Sequence, residues 1–191
     1  MFKTLIDFDK YLFGIVNQKA SNPFFDLIMP FIRQPLFWLP LYLFFILFAI
    51  YNFQKKAAIW MGWMLFTVTA TDTISSHFLK PLFGRLRPCN NPELSDSIRL
   101  LVDHCGQNGS FTSSHATNHF GIAVFIFITL EKVWGKFNYL FILWAAAISF
   151  AQVYVGVHFP FDVIGGALLG SAIGYLIAKA FKSKVGCIEI I

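Results

Sequence analysis

From Gln34 to Gln54 the chain carries no charged side chain at all, although Pro35 and Pro40 interrupt the start of the run. A stretch of that length has few places to go, because roughly 20 consecutive apolar residues are what a helix needs to cross a hydrocarbon core. Four further runs follow. Ala57 to Leu79 is broken only by Asp72 and His77, and Ala116 to Leu130 extends backward through Ser113. Phe137 to Val157 and Pro160 to Ala178 complete the series. None shows the alternation of a barrel strand, and in lipid only helices or closed barrels satisfy their backbone groups. The composition agrees: 57% of residues are hydrophobic and 13% charged, where a soluble domain carries roughly a quarter charged. The expected fold is an all-α, polytopic membrane helix bundle of about five transmembrane helices. Its environment is the lipid bilayer, and no nucleic-acid partner is expected.

The N-terminus reads differently. On a helical wheel Phe2, Leu5, Ile6, Phe8, Leu12, Phe13, Ile15 and Val16 fill one arc, while Lys3, Asp7, Lys10 and Asn17 fill the other. Asp9 falls on the wrong side. An amphipathic segment of this kind lies in the membrane interface rather than across it, so residues 1–20 are expected to form an interfacial helix. The mixture of acids with apolar residues is unlike a cleaved signal peptide. Nothing marks a linker, a repeat or a second domain, and 1–191 is read as one unit.

Five crossings fix which loops share a side. Lys80 to about Thr112 and Val157 to Phe159 lie with the N-terminus. Lys55, Lys56, Lys132, Lys136, Lys179, Lys182 and Lys184 lie opposite, with Glu131 and Glu189. The N-terminal side holds Lys3, Lys10, Lys19, Arg33, Lys80, Arg85, Arg87 and Arg99. If Lys80, Arg85 and Arg87 are set aside as functional, the positive-inside rule makes the opposite side cytoplasmic. The N-terminal side then faces outward.

The polar residues that the apolar pattern leaves over collect on that outward side. They are Lys80, Arg85 and Arg87 in "KPLFGRLRPCN", Ser113, Ser114 and His115 in "GSFTSSHATNHF", and Gln152, His158 and Asp162 in "AQVYVGVHFPFDV". Cations beside small residues at a helix start suit an oxyanion such as phosphate. Two histidines suit a nucleophile and a proton donor. The four-residue step from His158 lets the Asp162 carboxylate reach back and orient the imidazole, with Pro160 tolerated at the helix start.

These motifs resemble the type 2 phosphatidic acid phosphatase (PAP2) superfamily, across roughly Asp72 to Leu169. The residues Lys80 through Arg87 and Pro88 resemble its first motif, Thr112-Ser113-Ser114-His115 its Pro-Ser-Gly-His, and Ala151-Gln152 with His158 and Asp162 its Ser-Arg-x5-His-x3-Asp. The resemblance implies metal-free, cofactor-free hydrolysis of a lipid phosphomonoester or diphosphate in a bacterial plasma (inner) membrane. A polyprenyl diphosphate, a lipid A phosphate or a phosphatidyl phosphate would serve as substrate. His158 would form a phosphohistidine, held by Asp162, and His115 would protonate the leaving oxygen. Lys80, Arg87, Ser113 and Ser114 would bind the phosphoryl oxygens.

Two positions depart from the pattern. Ser114 replaces a glycine, and Gln152 replaces an arginine that a glutamine cannot match in bidentate binding. Arg85 is a candidate replacement for that cation, with an interfacial role as its alternative. The loss at Gln152 also raises a second functional class, a non-catalytic phospholipid-binding relative. Asp72 and His77 lie within a span, where ionisable groups read as functional, with helix-to-helix hydrogen bonding as the other reading. His119 is expected to pack or polarise, and His104 to be a loop residue. Gly166, Gly170 and Gly174 form a close-packing face, expected to be used inside the monomer. Trp38, Trp60, Trp63, Trp134 and Trp144 read mostly as interface anchors. On an outward, oxidising side Cys89 and Cys105 can form a disulfide, leaving Cys187 free.

Overall fold

The computed structural model describes residues 2–188; Glu189, one of the two acids assigned to the cytoplasmic side, lies outside them. The described chain is helical throughout its regular parts. Helix α1 (Phe2–Gly14) runs on through a π-helical turn, Ile15–Lys19. Helix α2 (Pro23–Ile32) is capped by the Asn22 side chain, which accepts from the Phe25 amide at 3.0 Å. Helix α3 (Leu39–Phe53) follows a 3-10 turn at Pro35–Trp38. Helix α4 (Lys55–Asp72) continues through a π-helical stretch, Thr73–Leu79, into the short α5 (Lys80–Phe83). After a long loop come α6 (Ser114–Thr129), α7 (Glu131–Trp134), α8 (Tyr139–Tyr154) and α9 (Pro160–Val185).

The helical runs coincide with the apolar runs, with local differences. Among the described residues three are long and apolar enough to cross a membrane by length and composition: 35–53, 131–154 and 160–185. The remaining two hold Asp72, His77, Ser114 and His115, and α6 is only 16 residues long. Helix α9 outlasts its apolar stretch because Lys179, Lys182 and Lys184 are good helix formers once solvated. Residues 21–33, assigned no element from sequence, hold α2. The surface confirms the lipid-facing role: Leu43, Leu47, Leu65, Phe66, Leu143, Leu168 and Leu176 are each more than half exposed. In water so many exposed apolar side chains would drive association.

The main apolar core joins α3, α4, α6, α8 and α9 around Trp60, Phe125, Ile126 and Phe181. Trp60 is fully buried and donates to Thr129 Oγ1 at 3.0 Å, so it is a core residue and no interface anchor. The closest helix pair is α6 with α9. A Cβ on Gly170 would lie 2.1 Å from the Thr117 carbonyl oxygen, and one on Gly174 2.4 Å from that of Gly121. The glycine face is therefore used within the monomer, and it lets two backbones touch. The Ser113 amide donates to the Asp162 carbonyl at 3.0 Å, tying the start of α6 to the start of α9.

Helix α1 packs on that same end of the bundle. Phe13 meets Phe159 at 5.4 Å between ring centroids, while Leu5, Ile6 and Phe8 stay about half exposed. Asn17, placed on the water-facing arc from sequence, is instead fully buried. Its amide donates to the Arg99 and Tyr154 carbonyls at 2.8 Å each and accepts from the Arg99 amide at 2.9 Å. Arg99 closes the network on Asp26 of α2 at 2.6 Å. Gly156 (φ +92°) must be glycine here, because a Cβ would lie 2.7 Å from the Arg99 oxygen.

Cys89 and Cys105 are bonded across the loop between α5 and α6, with Cα atoms 5.9 Å apart at a sequence separation of 16. Closing a loop of that size contributes about 3 kcal/mol in the chain-entropy account. Reduction is therefore expected to lower the denaturation midpoint of the purified protein measurably, and Cys89→Ser/Cys105→Ser to reproduce the shift. An unchanged midpoint in both would show that the bridge does not restrain the unfolded chain.

Candidate active site

His158 lies in the turn between α8 and α9, and two bonds set that turn. The amides of Val157 and His158 both donate to the Gln152 carbonyl, at 3.1 and 3.2 Å. Pro160 then opens α9, and Asp162 sits in its first turn. The Asp162 Oδ2 accepts from the Phe159 amide at 2.8 Å, which caps the helix and locks the carboxylate beside the imidazole. His158 Nδ1 lies 3.6 Å from that oxygen.

The side chain that completes this pair was not singled out from sequence. Ser110 Oγ donates to Asp162 Oδ2 at 2.5 Å and lies 3.3 Å from His158 Nδ1. It stands in the same small-residue stretch as Ser113, but no spacing rule separates it from its neighbours. On the other side of the ring, Arg87 Nη1 lies 3.1 Å from Nε2. Arginine only donates, so Nε2 is the bare nitrogen and the proton resides on Nδ1, toward Ser110 and Asp162. Burial, with Arg87 and Lys80 nearby, holds the imidazole well below its ordinary range, at about 4, against the opposing pull of Asp162. A neutral ring with its lone pair on Nε2 has the protonation state of a nucleophile.

Arg85, expected from sequence among the phosphate ligands or as an interfacial side chain, does neither. Its guanidinium binds Asp162 Oδ1 at 2.7 Å and Asp9 Oδ2 at 2.6 Å, and it stacks over the Phe159 ring at 4.4 Å. Both ends of the fork are occupied by carboxylates behind the imidazole. This also accounts for Asp9, which looked misplaced on its wheel. It is fully buried, and its other oxygen accepts from the Phe161 amide at 2.9 Å. A chain of charges, Asp9–Arg85–Asp162, thus runs from α1 to the histidine.

In front of the imidazole lies a cavity of about 580 Å³, lined among others by Lys80, Arg87, Ser114, His115, Gln152 and His158. A second space of about 730 Å³, lined by His77, Asp72 and Asn90, adjoins it across Ser76, Lys80, Arg87 and Asn108. Arg87 is held by the Asn108 and Val157 carbonyls, at 3.0 and 3.4 Å. Lys80 is 5% exposed and, among the described residues, has no hydrogen-bond acceptor. Ser113 caps α6, its hydroxyl accepting from the Ala116 amide at 3.5 Å. The Ser114 and His115 amides are first-turn groups with no partner inside the helix. The Ser114 hydroxyl is taken up by Ser75 and Ser76 at 3.1 and 2.9 Å, which absorbs the extra Cβ at this position. Those two serines belong to the π-helical stretch that follows α4, a distortion that often marks functional sites.

The remaining polar residues fall out as follows. Asp72 accepts from Ser76 and Asn118 at 3.2 and 3.1 Å, so it bridges helices. His119 bonds the His115 carbonyl at 2.7 Å and packs edge-on against Trp144. His104 lies in the loop between α5 and α6, as expected, and there it lines the smaller cavity. Among the described residues no cluster of three or more His, Cys, Asp or Glu could hold a metal ion.

Lys80 gives the site a pH signature. Burial and the neighbouring Arg87 lower its pKa to about 8, so the ammonium is charged below that pH and neutral above it. If the charge is needed to bind substrate, kcat/KM should fall above about pH 8, since it reports groups of the free enzyme. Lys80→Arg should move that limb to higher pH. A limb that stays in place would assign it to another group.

A family model described as the PAP2 superfamily matches residues 60–185. The chain is 34% identical over 179 residues to a lipid A 4'-phosphatase of Bacteroides thetaiotaomicron, an alignment covering 92% of this chain and 78% of the relative. A lipid A 4'-phosphatase of Porphyromonas gingivalis is 27% identical, over 93% of this chain and 74% of its own length. The crystal structure of a transmembrane PAP2-type phosphatidylglycerolphosphate phosphatase from Bacillus subtilis shares the fold. Its TM-score is 0.71 at 23% identity, covering 95% of this chain and 88% of that one.

Proposed function

The chain belongs to the PAP2 superfamily, and from that premise we propose that it is a lipid A phosphatase acting at the 4'-phosphate through a phosphohistidine on His158. That it is a membrane lipid phosphatase follows from the family and its relatives; the position and the mechanism are our reading. The observation that carries the mechanism is the placement of His158 Nε2, 3.1 Å from the Arg87 guanidinium at the wall of a cavity shared with Lys80 and His115.

Nε2 attacks phosphorus in line, forming an N–P bond as the bond to the sugar oxygen breaks. His115 gives its proton to that leaving oxygen. The growing positive charge on the imidazole is met at Nδ1 by Asp162 and Ser110. Lys80, Arg87 and the first-turn amides of α6 hold the phosphoryl oxygens, where fixed donors in a water-poor site stabilise the transition state. Water, losing a proton to His115, then attacks phosphorus. The N–P bond breaks and inorganic phosphate leaves. Gln152 leaves this apparatus with one motif cation fewer, yet the nucleophile, its carboxylate and the acid are all in place, which favours the enzyme over a binding relative. The end holding the site faces away from the cytoplasm on the charge pattern. At the opposite end Lys182 pairs with Glu131 at 3.4 Å, and Lys56 donates to the Cys187 carbonyl at 3.3 Å.

The test is phosphate release by the purified, full-length protein from lipid A bisphosphate, a polyprenyl diphosphate and phosphatidylglycerophosphate. Loss of the 4'-phosphate should be fastest. A higher kcat/KM on either other lipid would overturn the substrate assignment. Activity should persist in excess EDTA, because the cavity lining sets Arg33, Lys80 and Arg87 against the single carboxylate of Asp103, where a divalent ion is held by several oxygen ligands. Loss in chelator that Mg²⁺ restores would contradict the charge argument.

A further inference from the structure

Arg33 follows α2, outside the residues that the family model matches. The chain has four arginines. Arg85 is bound to Asp9 and Asp162, Arg99 to Asp26, and Arg87 to two carbonyls and His158. Arg33 alone has no acceptor among the described residues, and its Nε is buried without a partner. It lines the cavity that holds Lys80, Arg87, His115 and His158, and Asp103, which shares that cavity, makes no ion pair with it. Three cations facing one space, against the single carboxylate of Asp103, repel one another and favour an anion of high charge.

A second observation points to the same ligand. Gln152 is 0% exposed, lines this cavity, and has neither its amide nitrogen nor its amide oxygen hydrogen-bonded. A buried amide with both functions unused is costly, and such groups are kept where a ligand completes them. Gln152 occupies the position at which the family motif carries its arginine.

We propose that Arg33 supplies the third phosphate-binding cation of this site, entering from α2 to replace the charge missing at Gln152, and that the Gln152 amide donates to the same phosphoryl group. A phosphomonoester dianion has three non-bridging oxygens and spreads further charge over them in the transition state. Lys80 and Arg87 meet part of that charge, and Arg33 brings a guanidinium able to bind two oxygens side by side. The site keeps the three-cation complement of the motif while taking one member from the stretch of Arg33, Gln34 and Pro35, which lines the cavity. The inference rests on the phosphatase reading, but its test uses a probe independent of the lipid.

The probe is orthovanadate, a mimic of the phosphoryl group, titrated against the purified full-length protein by calorimetry alongside turnover of the lipid substrate. Arg33→Ala should weaken vanadate binding and lower kcat/KM, each by about a hundredfold, as loss of one fixed donor to a developing charge does. Arg33→Lys should recover part of both, and Arg33→Ala/Gln152→Arg most of both. Should Arg33→Ala fold poorly, Arg33→Gln keeps the size and polarity and should show the same weakening. Vanadate affinity unchanged in Arg33→Ala or Arg33→Gln overturns the proposal, as does a deficit that Gln152→Arg leaves in place. Wild-type protein that binds vanadate through Arg33 but releases no phosphate from any lipid would overturn the phosphatase reading instead.

Discussion

His158→Ala is expected to lower phosphate release by about four orders of magnitude or more while leaving the protein folded. Removing the group that forms the covalent intermediate leaves only binding and fixed charge, a loss of the size seen when nucleophiles are deleted elsewhere. The fold should tolerate the change. The turn bearing His158 is set by backbone bonds to the Gln152 carbonyl, and Asp162 keeps its Phe159, Ser110 and Arg85 partners without the imidazole. Phosphate release is measured on protein whose melting transition matches wild type. Near-native turnover by such protein would remove His158 from the mechanism. Asp162→Asn should lose less, because Ser110 still faces Nδ1 and the nucleophile itself remains.

Gly170→Ala should have the largest effect of any single methyl group. Its Cβ would meet the Thr117 carbonyl oxygen at 2.1 Å, and that oxygen belongs to the α6 backbone, with no flexible side chain to move aside. Overpacking typically costs about 1–3 kcal/mol, and a rigid backbone contact belongs at the upper end. Activity should fall with stability, because separating α6 from α9 strains the Ser113–Asp162 bond that sets His115 opposite His158. Gly62→Ala is the control. Nothing lies within 4 Å of a Cβ there, and alanine is the better helix former by about 1 kcal/mol. Equal melting transitions and activities for the two variants would show that the α6–α9 contact does not limit the fold.

The helical bundle was legible because a bilayer demands long apolar runs from which most charge is expelled, and such runs stand out in this sequence. Much of the candidate site was legible for a related reason: a polar side chain at the end of an apolar run stands out against its background, and Lys80, Arg87, Ser114, His115, Gln152 and His158 do line one cavity. What escaped the sequence depends on direction rather than residue type. Asp9 and Asn17 lie on an amphipathic helix whose polar arc should face water, yet the bundle offers Arg85, the Arg99 backbone and the Tyr154 carbonyl as partners. Arg85 and Arg87 are two residues apart with the same charge, and only the fold turns one toward two carboxylates and the other toward His158. Ser110 is one hydroxyl among several, chosen by a loop conformation that no periodicity encodes. Arg33 counted only as a topological charge, because its distance from the motifs in sequence hides its approach to the cavity through α2.

The most direct measurement is the stereochemical course at phosphorus. A substrate whose transferred group is chiral through sulfur and ¹⁸O is hydrolysed in ¹⁷O water, and the configuration of the thiophosphate released is determined. Attack by His158 Nε2 followed by attack of water inverts phosphorus twice, so the account predicts net retention. Net inversion would mean that water attacks the lipid phosphate directly, and it would contradict the phosphohistidine on which the roles of Asp162, Ser110 and Arg87 depend.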